Sequence, residues 1–201
     1  MAICPHCATG DQRTRIQQVQ RLWADTELTK VTMVPTSLQR EPGELATITI
    51  PSVKRHLRRI FERAGVDHHP IIGFIDLSFN IHSNGLWDDH WQPHLEFLTP
   101  TSNWMEMKKP LRKQLKRSPA VKIPLLGVKV ADLDHQISYA FKPTPVRKTS
   151  FEAVSPNARP HKQYLKGKQE LEFLLWLGLQ STSCRLFMLN ARTYSEAIRL
   201  L

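Results

Sequence analysis

Hydrophobic and polar residues alternate most regularly in two stretches, 71–80 and 93–99. Alternation with a period of two is typical of β-strands, because successive side chains point to opposite faces. Asn84-Gly85, between the two stretches, is a dipeptide that favours turns. The pattern therefore predicts two paired strands with one apolar face, and a second face that carries the side chains of Asp76, His94 and Glu96.

Around this pair, the period of the apolar residues predicts further helices and strands. The helix at 51–64 has the clearest ends, because Pro51 suits a first turn and Gly65 suits a C-terminal cap. Residues 165–179 predict a helix whose leucines face inward: Leu171, Leu174, Leu175 and Leu179. The other predicted helices are 13–29, a basic segment over 108–122 and 129–142, and the other strands are 30–38, 123–128 and 185–189.

The chain has 201 residues, which predicts one domain. We expect an α/β (α+β) sandwich, with a mainly antiparallel central sheet and helices mostly on one face. The segments are an N-terminal part at 1–28, the main domain at 29–192 and a tail at 193–201. Residues 143–163 are rich in Pro, Ser and Arg and predict a loop or arm, and 195–201 predicts a short helix or frayed end.

The net charge of +10 and the pI of about 9.8 favour a polyanionic partner. Trp104 precedes the basic segment, and an aromatic ring beside cations suits single-stranded nucleic acid. The alternatives are an ordinary solvated basic face and a Trp104 that belongs to the core. The candidate contacts are Arg58, Arg59, Lys108, Lys109, Arg112, Lys113, Lys116 and Arg117.

Cys4 and Cys7 have the spacing of half a zinc site, but a closed site needs four ligands. Two free thiols are therefore the favoured interpretation, and zinc is the alternative. Three cysteines make no disulfide framework, so we expect a reducing cytoplasm. The sequence has no apolar run long enough to span a bilayer and no signal-peptide core, so we expect no membrane association.

Two groups of residues predict chemistry. His94 and Glu96 point to one face of a strand and can reach the same divalent cation, with Asp76 or His90 as a further ligand. On the predicted helix 129–142, Tyr139 lies one turn before Lys142 on a polar side. This second arrangement is common by chance and gains meaning only if that side faces His94 and Glu96.

The order of these elements, with the stretch His90–Leu98 (HWQPHLEFL) and Tyr139-Ala140-Phe141-Lys142, resembles the HUH endonuclease superfamily, and within it the plasmid-type rolling-circle replication initiators. The resemblance covers roughly residues 30–190. The family pattern at the metal site is His, a hydrophobic residue, then His, whereas this chain has Glu96 at the last position. Some branches of the family have another polar ligand at that position, so Glu96 is compatible with a metal site but departs from the commonest form.

The resemblance implies a ferredoxin-like or RRM-like sandwich and an enzyme that nicks and rejoins single-stranded DNA. Mg²⁺ or Mn²⁺ would lie on His94 and Glu96, with Asp76 or His90 as third ligand. Tyr139 would attack phosphorus, and Lys142 would favour the phenolate or hold a phosphate oxygen. An origin-like DNA site and a helicase would be partners, and a plasmid, phage or transposon would all be compatible settings.

Two other functions are compatible with the sequence. A non-catalytic DNA-binding protein derived from such an initiator is favoured by Glu96 and by the short chain. A small RNA-binding module with a ferredoxin-like sheet would need exposed aromatic residues on the sheet face. The predicted polar face carries Asp76, His94 and Glu96 there, which argues against RNA binding.

Overall fold

A sheet lies at the centre of the protein, with helices on both of its faces. The computed structural model describes residues 5–82, 85–132, 134–136, 146–150, 161–180, 185–194 and 197–201. Its helices are α1 (Pro5–Leu22), α2 (Ile50–Ala64), α3 (Thr101–Gln114) and α4 (Lys168–Gly178). Its strands are β1 (Leu28–Met33), β2 (Ile71–His82), β3 (His90–Pro100), β4 (Leu125–Lys129), β5 (Val146–Ser150), β6 (His161–Gln163), β7 (Leu186–Leu189), β8 (Ala191–Tyr194) and β9 (Ala197–Leu200).

The main sheet has the strand order β4-β1-β3-β2-β5-β6, and β7 also pairs with β2. All of these pairs are antiparallel except β2 with β5. The connectivity β1-α2-β2-β3-α3-β4, with the spatial order 4-1-3-2, is the split βαβ arrangement. The mixed α/β class, the mainly antiparallel sheet and the pairing of 71–80 with 93–99 are therefore confirmed.

Helix α2 forms because its sequence satisfies both of its ends. The Thr49 hydroxyl accepts a hydrogen bond from the Ser52 backbone N–H, and Gly65 adopts φ +67° in a left-handed C-terminal cap. Its buried stripe consists of Ile50, Val53, Leu57, Ile60 and Phe61. This stripe covers the predicted apolar face of the sheet, so the prediction for this helix is confirmed.

The two faces of the sheet bury different clusters. Leu95 and Phe97 lie in the larger core with residues of α2, α3 and α4, and Trp104 belongs to it. Trp104 also lies so close to Gly127 that a side chain there would collide with the indole ring. Trp104 is therefore a core residue and no stacking platform. On the opposite face, α1 and the β8-β9 hairpin cover Ile72, Phe74 and Leu98.

Several predicted elements differ from the structure. Residues 146–150 and 161–163 are strands within the predicted loop at 143–163, because they pair with each other and extend the sheet beside β2. In the described part of the tail, Ala197–Leu200 forms β9, which pairs with β8, in place of the predicted short helix or frayed end. The first helix ends at Leu22, before β1 takes residues 28–29, and Lys129 belongs to β4.

The prediction of which leucines of α4 face inward is also wrong. Leu171, Leu174, Leu175 and Leu179 are exposed, and Phe173, Trp176 and Leu177 are buried instead. The aromatic side chains bury more apolar area, and the Trp176 indole N–H donates to the Ile48 carbonyl.

Among the described residues, no helix is long and apolar enough to cross a membrane.

Candidate functional site

Asp76, His94 and Glu96 converge on the side of the sheet opposite α2 and α3. Asp76 and His94 are directly paired across β2 and β3, and Glu96 follows on the same face of β3. The Asp76 Oδ2 atom lies 3.3 Å from His94 Nε2, and the Glu96 Oε1 atom lies 4.0 Å from it. The predicted grouping of these three side chains is present, and all three are buried.

A backbone contact fixes which nitrogen of His94 faces the carboxylates. Its Nδ1 atom lies 3.1 Å from the Gln92 carbonyl oxygen, a distance at which Nδ1–H donates. Nε2 is then directed at Asp76 and Glu96. A neutral imidazole would place its lone pair against two carboxylate oxygens, so this arrangement calls for a positive charge at Nε2, either a proton or a cation.

The other oxygen of each carboxylate contacts a different set of residues. The Arg185 guanidinium lies 3.3 Å from Asp76 Oδ1. The Thr32 hydroxyl donates to Glu96 Oε2 at 3.0 Å, and Lys30 Nζ lies 3.7 Å from the same atom. We call Asp76 Oδ2 and Glu96 Oε1 the inner oxygens, and Asp76 Oδ1 and Glu96 Oε2 the outer oxygens. Each outer oxygen therefore faces a cation, while each inner oxygen faces His94.

Arg185 is held by more than its ion pair. Its Nε–H donates to the Ile75 carbonyl at 2.8 Å, and its guanidinium lies 4.3 Å from the centre of the Phe74 ring. These contacts to backbone and ring fix the guanidinium independently of Asp76. Because the side chains of Asp76 and Arg185 are only 1% and 3% exposed, both charges are shielded from water.

The donor types of this centre suit a hard divalent cation. One imidazole nitrogen and two carboxylate oxygens are ligands that Mn²⁺ and Mg²⁺ accept. No group of three or more His, Cys, Asp or Glu side chains within the described ranges forms a ready-made metal site, however. The two carboxylates are already balanced by Arg185 and Lys30, so the centre as it stands is an ion-paired network built from suitable ligands.

His90, the alternative ligand, lies four residues before His94 and has other partners. Its Nδ1 lies 2.8 Å from the Asp88 carbonyl oxygen, and its Nε2 lies 3.3 Å from the Asn80 amide nitrogen and 3.2 Å from that of Gln39. Both ring nitrogens are therefore engaged in hydrogen bonds. The structure brings Asp76 to His94 and does not bring His90 to it.

The strip between His94 and His90 is polar and incompletely satisfied. Ser78 and Gln92 are paired across β2 and β3 and almost fully buried, and Asn80 follows on the same face. Within the part of the chain that the structure describes, Ser78 Oγ, Asn80 Oδ1 and Gln92 Oε1 have no hydrogen-bond partner. Burying a polar atom without a hydrogen-bond partner costs folding free energy. These atoms are therefore suited to accept hydrogen bonds from water or from a polar ligand.

The second candidate surface is the outer side of α2 and α3. Between residues 107 and 131 the chain has no carboxylate and eight cations: Lys108, Lys109, Arg112, Lys113, Lys116, Arg117, Lys122 and Lys129. Helix α2 adds exposed arginines next to α3, and a cavity of about 440 Å³ lies along Lys54, Arg55, Arg58 and Arg59. We call the exposed cations of α2, α3 and residues 116–117 the basic face.

The pKa of His56 is sensitive to the positive charges of this basic face. The ring lies between α2 and the segment after β1, where it hydrogen-bonds the Ser37 hydroxyl at 2.8 Å. Partial burial, and then the positive charges of Arg63, Arg59 and Arg40, lower the pKa of His56 below its ordinary 6.5. Three arginines close enough to act on one imidazole make a surface that attracts anions.

The basic face and the His94 centre lie on opposite sides of the sheet. Helices α2 and α3 pack on the face that carries Leu95 and Phe97, whereas His94 and Glu96 point to the other face. The sequence predicted both groups but could not show this separation. That the lysines and arginines of the basic face contact DNA remains a prediction.

The sequence missed three residues of the centre: Lys30, Thr32 and Arg185. A charged residue within or beside an apolar strand run is the signal that could have drawn attention to Lys30 and Arg185. Their partners depend on strand register, since Thr32 pairs with Glu96 across β1 and β3. Thr32 is an ordinary strand residue and gives no signal in the sequence.

Several predicted residues lie outside the described part of the chain. These are Cys4, Tyr139 and Lys142, together with Asn84 of the predicted turn. Cys7 lies in α1. His135 lies in the helical stretch 134–136, where its backbone N–H bonds Asp132. The zinc alternative and the choice of nucleophile therefore stay predictions.

The chain matches no protein-family model, and a significant match was found neither among curated proteins nor among solved structures.

Proposed function

We propose that the protein binds single-stranded DNA and nicks and rejoins it through a phosphotyrosine intermediate, as the rolling-circle replication initiators do. The observation that carries this proposal is the convergence of Asp76 and Glu96 on His94 Nε2. It is supported by the position of His94 on β3, a central strand of a 4-1-3-2 sheet, which is the ferredoxin-like order expected from the resemblance. In this proposal the protein acts in the cytoplasm, with a helicase as partner.

In the proposed reaction, the Tyr139 oxygen attacks the phosphorus of the scissile phosphodiester. A bond forms between that oxygen and phosphorus, and the bond from phosphorus to the 3′ oxygen of the preceding nucleotide breaks. The phenol loses its proton, and the leaving oxygen gains one to become a 3′-hydroxyl. Because the phosphoester energy is kept in the tyrosine link, the reverse attack by a 3′-hydroxyl rejoins the strand.

The roles of the other residues follow from their chemistry. Lys142, three residues after Tyr139 in the sequence, would favour the phenolate or hold a phosphate oxygen. Asp76, His94 and Glu96 would hold Mg²⁺ or Mn²⁺, which would polarise the scissile phosphate and offset its developing charge. Ser78, Asn80 and Gln92 offer unpaired polar atoms next to this centre for a polar part of the substrate.

The test is a search for a covalent adduct between protein and DNA. Wild-type protein, Mn²⁺ and a diverse pool of labelled single-stranded oligonucleotides should give a band that survives denaturing electrophoresis. We expect Tyr139→Phe to abolish this adduct and to keep DNA binding, because it removes the hydroxyl and keeps the ring.

Tyr164→Phe is the matched control, since Tyr164 also has a lysine close by in sequence and is largely exposed. An adduct that is lost in Tyr164→Phe and kept in Tyr139→Phe would show that the nucleophile is wrongly chosen. No adduct from the wild-type protein with any divalent metal would contradict nicking itself.

A specific observation favours the second candidate, a DNA-binding protein without cleavage. Arg185 and Lys30 already balance the two carboxylates, and the third metal-motif position is Glu96 in place of the family's His. In that case the centre is a buried ion-pair network that stabilises the sheet. The adduct assay separates the two candidates, because the second one predicts DNA binding with no adduct.

Binding of DNA at the basic face should be coupled to proton uptake by His56. Arg59 and Arg63 help to lower the pKa of His56 in the free protein. Phosphates that neutralise these arginines should raise that pKa, so affinity should increase as the pH falls through the pKa of His56 in the complex and level off below its pKa in the free protein. Titration of the His56 ring proton by NMR, with and without an oligonucleotide, measures the effect.

The His56→Gln variant is the control for this coupling. It should bind DNA with a weaker pH dependence, while its affinity at pH 8 stays close to that of wild type. If the pKa of His56 is the same in free and bound protein, the DNA does not contact the α2 side of the basic face.

A further inference from the structure

We propose that Thr32 and Arg185 are positioning residues that set the divalent-cation affinity of the His94 centre. This inference rests on the proposed function, because it assigns the residues that prepare the proposed metal ligands. Neither residue touches the position where a cation would contact His94. Each acts through one carboxylate, Thr32 through Glu96 and Arg185 through Asp76.

In each carboxylate, one oxygen contacts a supporting residue and the other oxygen faces His94. This arrangement carries the inference. A carboxylate can rotate, and a freely rotating one would present either oxygen to His94 or neither. The Thr32 hydroxyl holds Glu96 Oε2 at 3.0 Å, and the Arg185 guanidinium holds Asp76 Oδ1 at 3.3 Å. With the outer oxygens held, the inner oxygens lie 3.3 Å (Asp76) and 4.0 Å (Glu96) from Nε2.

The His94 ring is also oriented by a hydrogen bond on the side away from the carboxylates. The Gln92 carbonyl accepts from Nδ1–H, which leaves Nε2 as the nitrogen directed at the two carboxylates. All three candidate ligands are thus oriented by a second contact on their far side. Contacts of this kind typically change metal affinity by about 10-fold to 100-fold when they are lost, because the free ligand must then be ordered on binding.

The rigidity of the supports strengthens the argument. Arg185 is fixed by the Ile75 carbonyl and the Phe74 ring, and Thr32 lies within β1 between two hydrogen-bonded strands. Support residues that are themselves fixed can hold a ligand within the tolerance that a metal site needs.

The experiment compares Thr32→Val with Thr32→Ser. Valine keeps the size and strand preference of threonine and removes the hydroxyl, whereas serine keeps the hydroxyl. We expect Thr32→Val to weaken Mn²⁺ binding by about 10-fold and Thr32→Ser to remain close to wild type. Isothermal calorimetry with Mn²⁺ alone gives the affinities, and the thermal midpoint without metal shows that both variants fold.

Thr29→Val is the matched control on the same strand. Its hydroxyl bonds Thr101, away from the His94 centre, so this variant should bind Mn²⁺ like wild type. Arg185→Lys and Arg185→Met form the second pair. Both variants lose the guanidinium contact that orients Asp76, but Arg185→Met also removes a positive charge that repels a cation, so the affinity should fall more in Arg185→Lys than in Arg185→Met.

Three results would overturn the inference: wild-type protein that binds no Mn²⁺, a Thr32→Val variant with wild-type affinity, or equal losses in Thr32→Val and Thr32→Ser. Failure of the proposed function looks different. In that case Mn²⁺ binding depends on Thr32 as expected, but the wild-type protein gives no DNA adduct. The two ideas are therefore tested separately.

Discussion

Replacing Asp76 with alanine should lower the free energy of unfolding by about 3–5 kcal/mol. The variant leaves the Arg185 guanidinium buried without its carboxylate, and Arg185 is held in place by the Ile75 carbonyl and the Phe74 ring. A guanidinium that cannot reach water keeps its full desolvation cost. Urea denaturation, followed by circular dichroism, gives the free energy of unfolding of each variant.

The double variant Asp76→Leu with Arg185→Met separates the charge effect from packing. Replacing both members of a buried ion pair with apolar residues of similar size is often close to neutral, so the double variant should recover most of the loss. Glu27→Ala is the surface control, because Glu27 pairs with Lys129 where both are largely exposed; it should cost less than about 1 kcal/mol. A loss below about 1 kcal/mol in Asp76→Ala would contradict the assignment of a tightly held buried pair.

Replacing Lys108, Lys109, Arg112 and Lys113 with alanine should weaken single-stranded DNA binding by about two to three orders of magnitude at 0.1 M salt. All four side chains are exposed on α3. If each neutralises one phosphate, the slope of log K against log salt should become less steep by up to about 2.8, since each single-strand contact contributes about 0.7. Fluorescence anisotropy with a labelled oligonucleotide at several salt concentrations measures the slope.

A matched variant removes the same charge elsewhere. Alanine at Lys166, Lys168, Arg192 and Arg199 also removes four exposed cations, but these lie near α4 and on the β8-β9 hairpin, away from the basic face. This control should change the slope far less, because net charge acts at long range and is screened by salt. Equal slopes in the two variants would remove α3 from the DNA interface.

The opposite placement of the basic face and the His94 centre also allows binding and cleavage to be separated. Variants of α3 should lose affinity at low DNA concentration and still form the adduct when DNA is in excess. Variants of His94 should keep affinity and lose the adduct.

The sequence by itself determined the elements whose side chains follow a clear period. The alternation in 71–80 and 93–99 predicted β2 and β3, and the apolar stripe and caps predicted α2 almost to the residue. Because alternate residues of a strand share a face, it also predicted that Asp76, His94 and Glu96 would lie together. These results follow from local geometry, which the chain carries in its own order of residues.

Only the tertiary structure decided what surrounds those residues. Two partners of the carboxylates, Thr32 in β1 and Arg185 just before β7, are far from β2 and β3 in sequence. The pairing of β1 with β3 and of β7 with β2 brings them there. In α4, tertiary packing buries Phe173 and Trp176 and leaves Leu171, Leu174 and Leu175 exposed. Packing also determines that the basic helices α2 and α3 cover the sheet face opposite His94. A periodic pattern states which residues share a face, but which face meets which neighbour is decided by long-range pairing and by the apolar area that each packing buries.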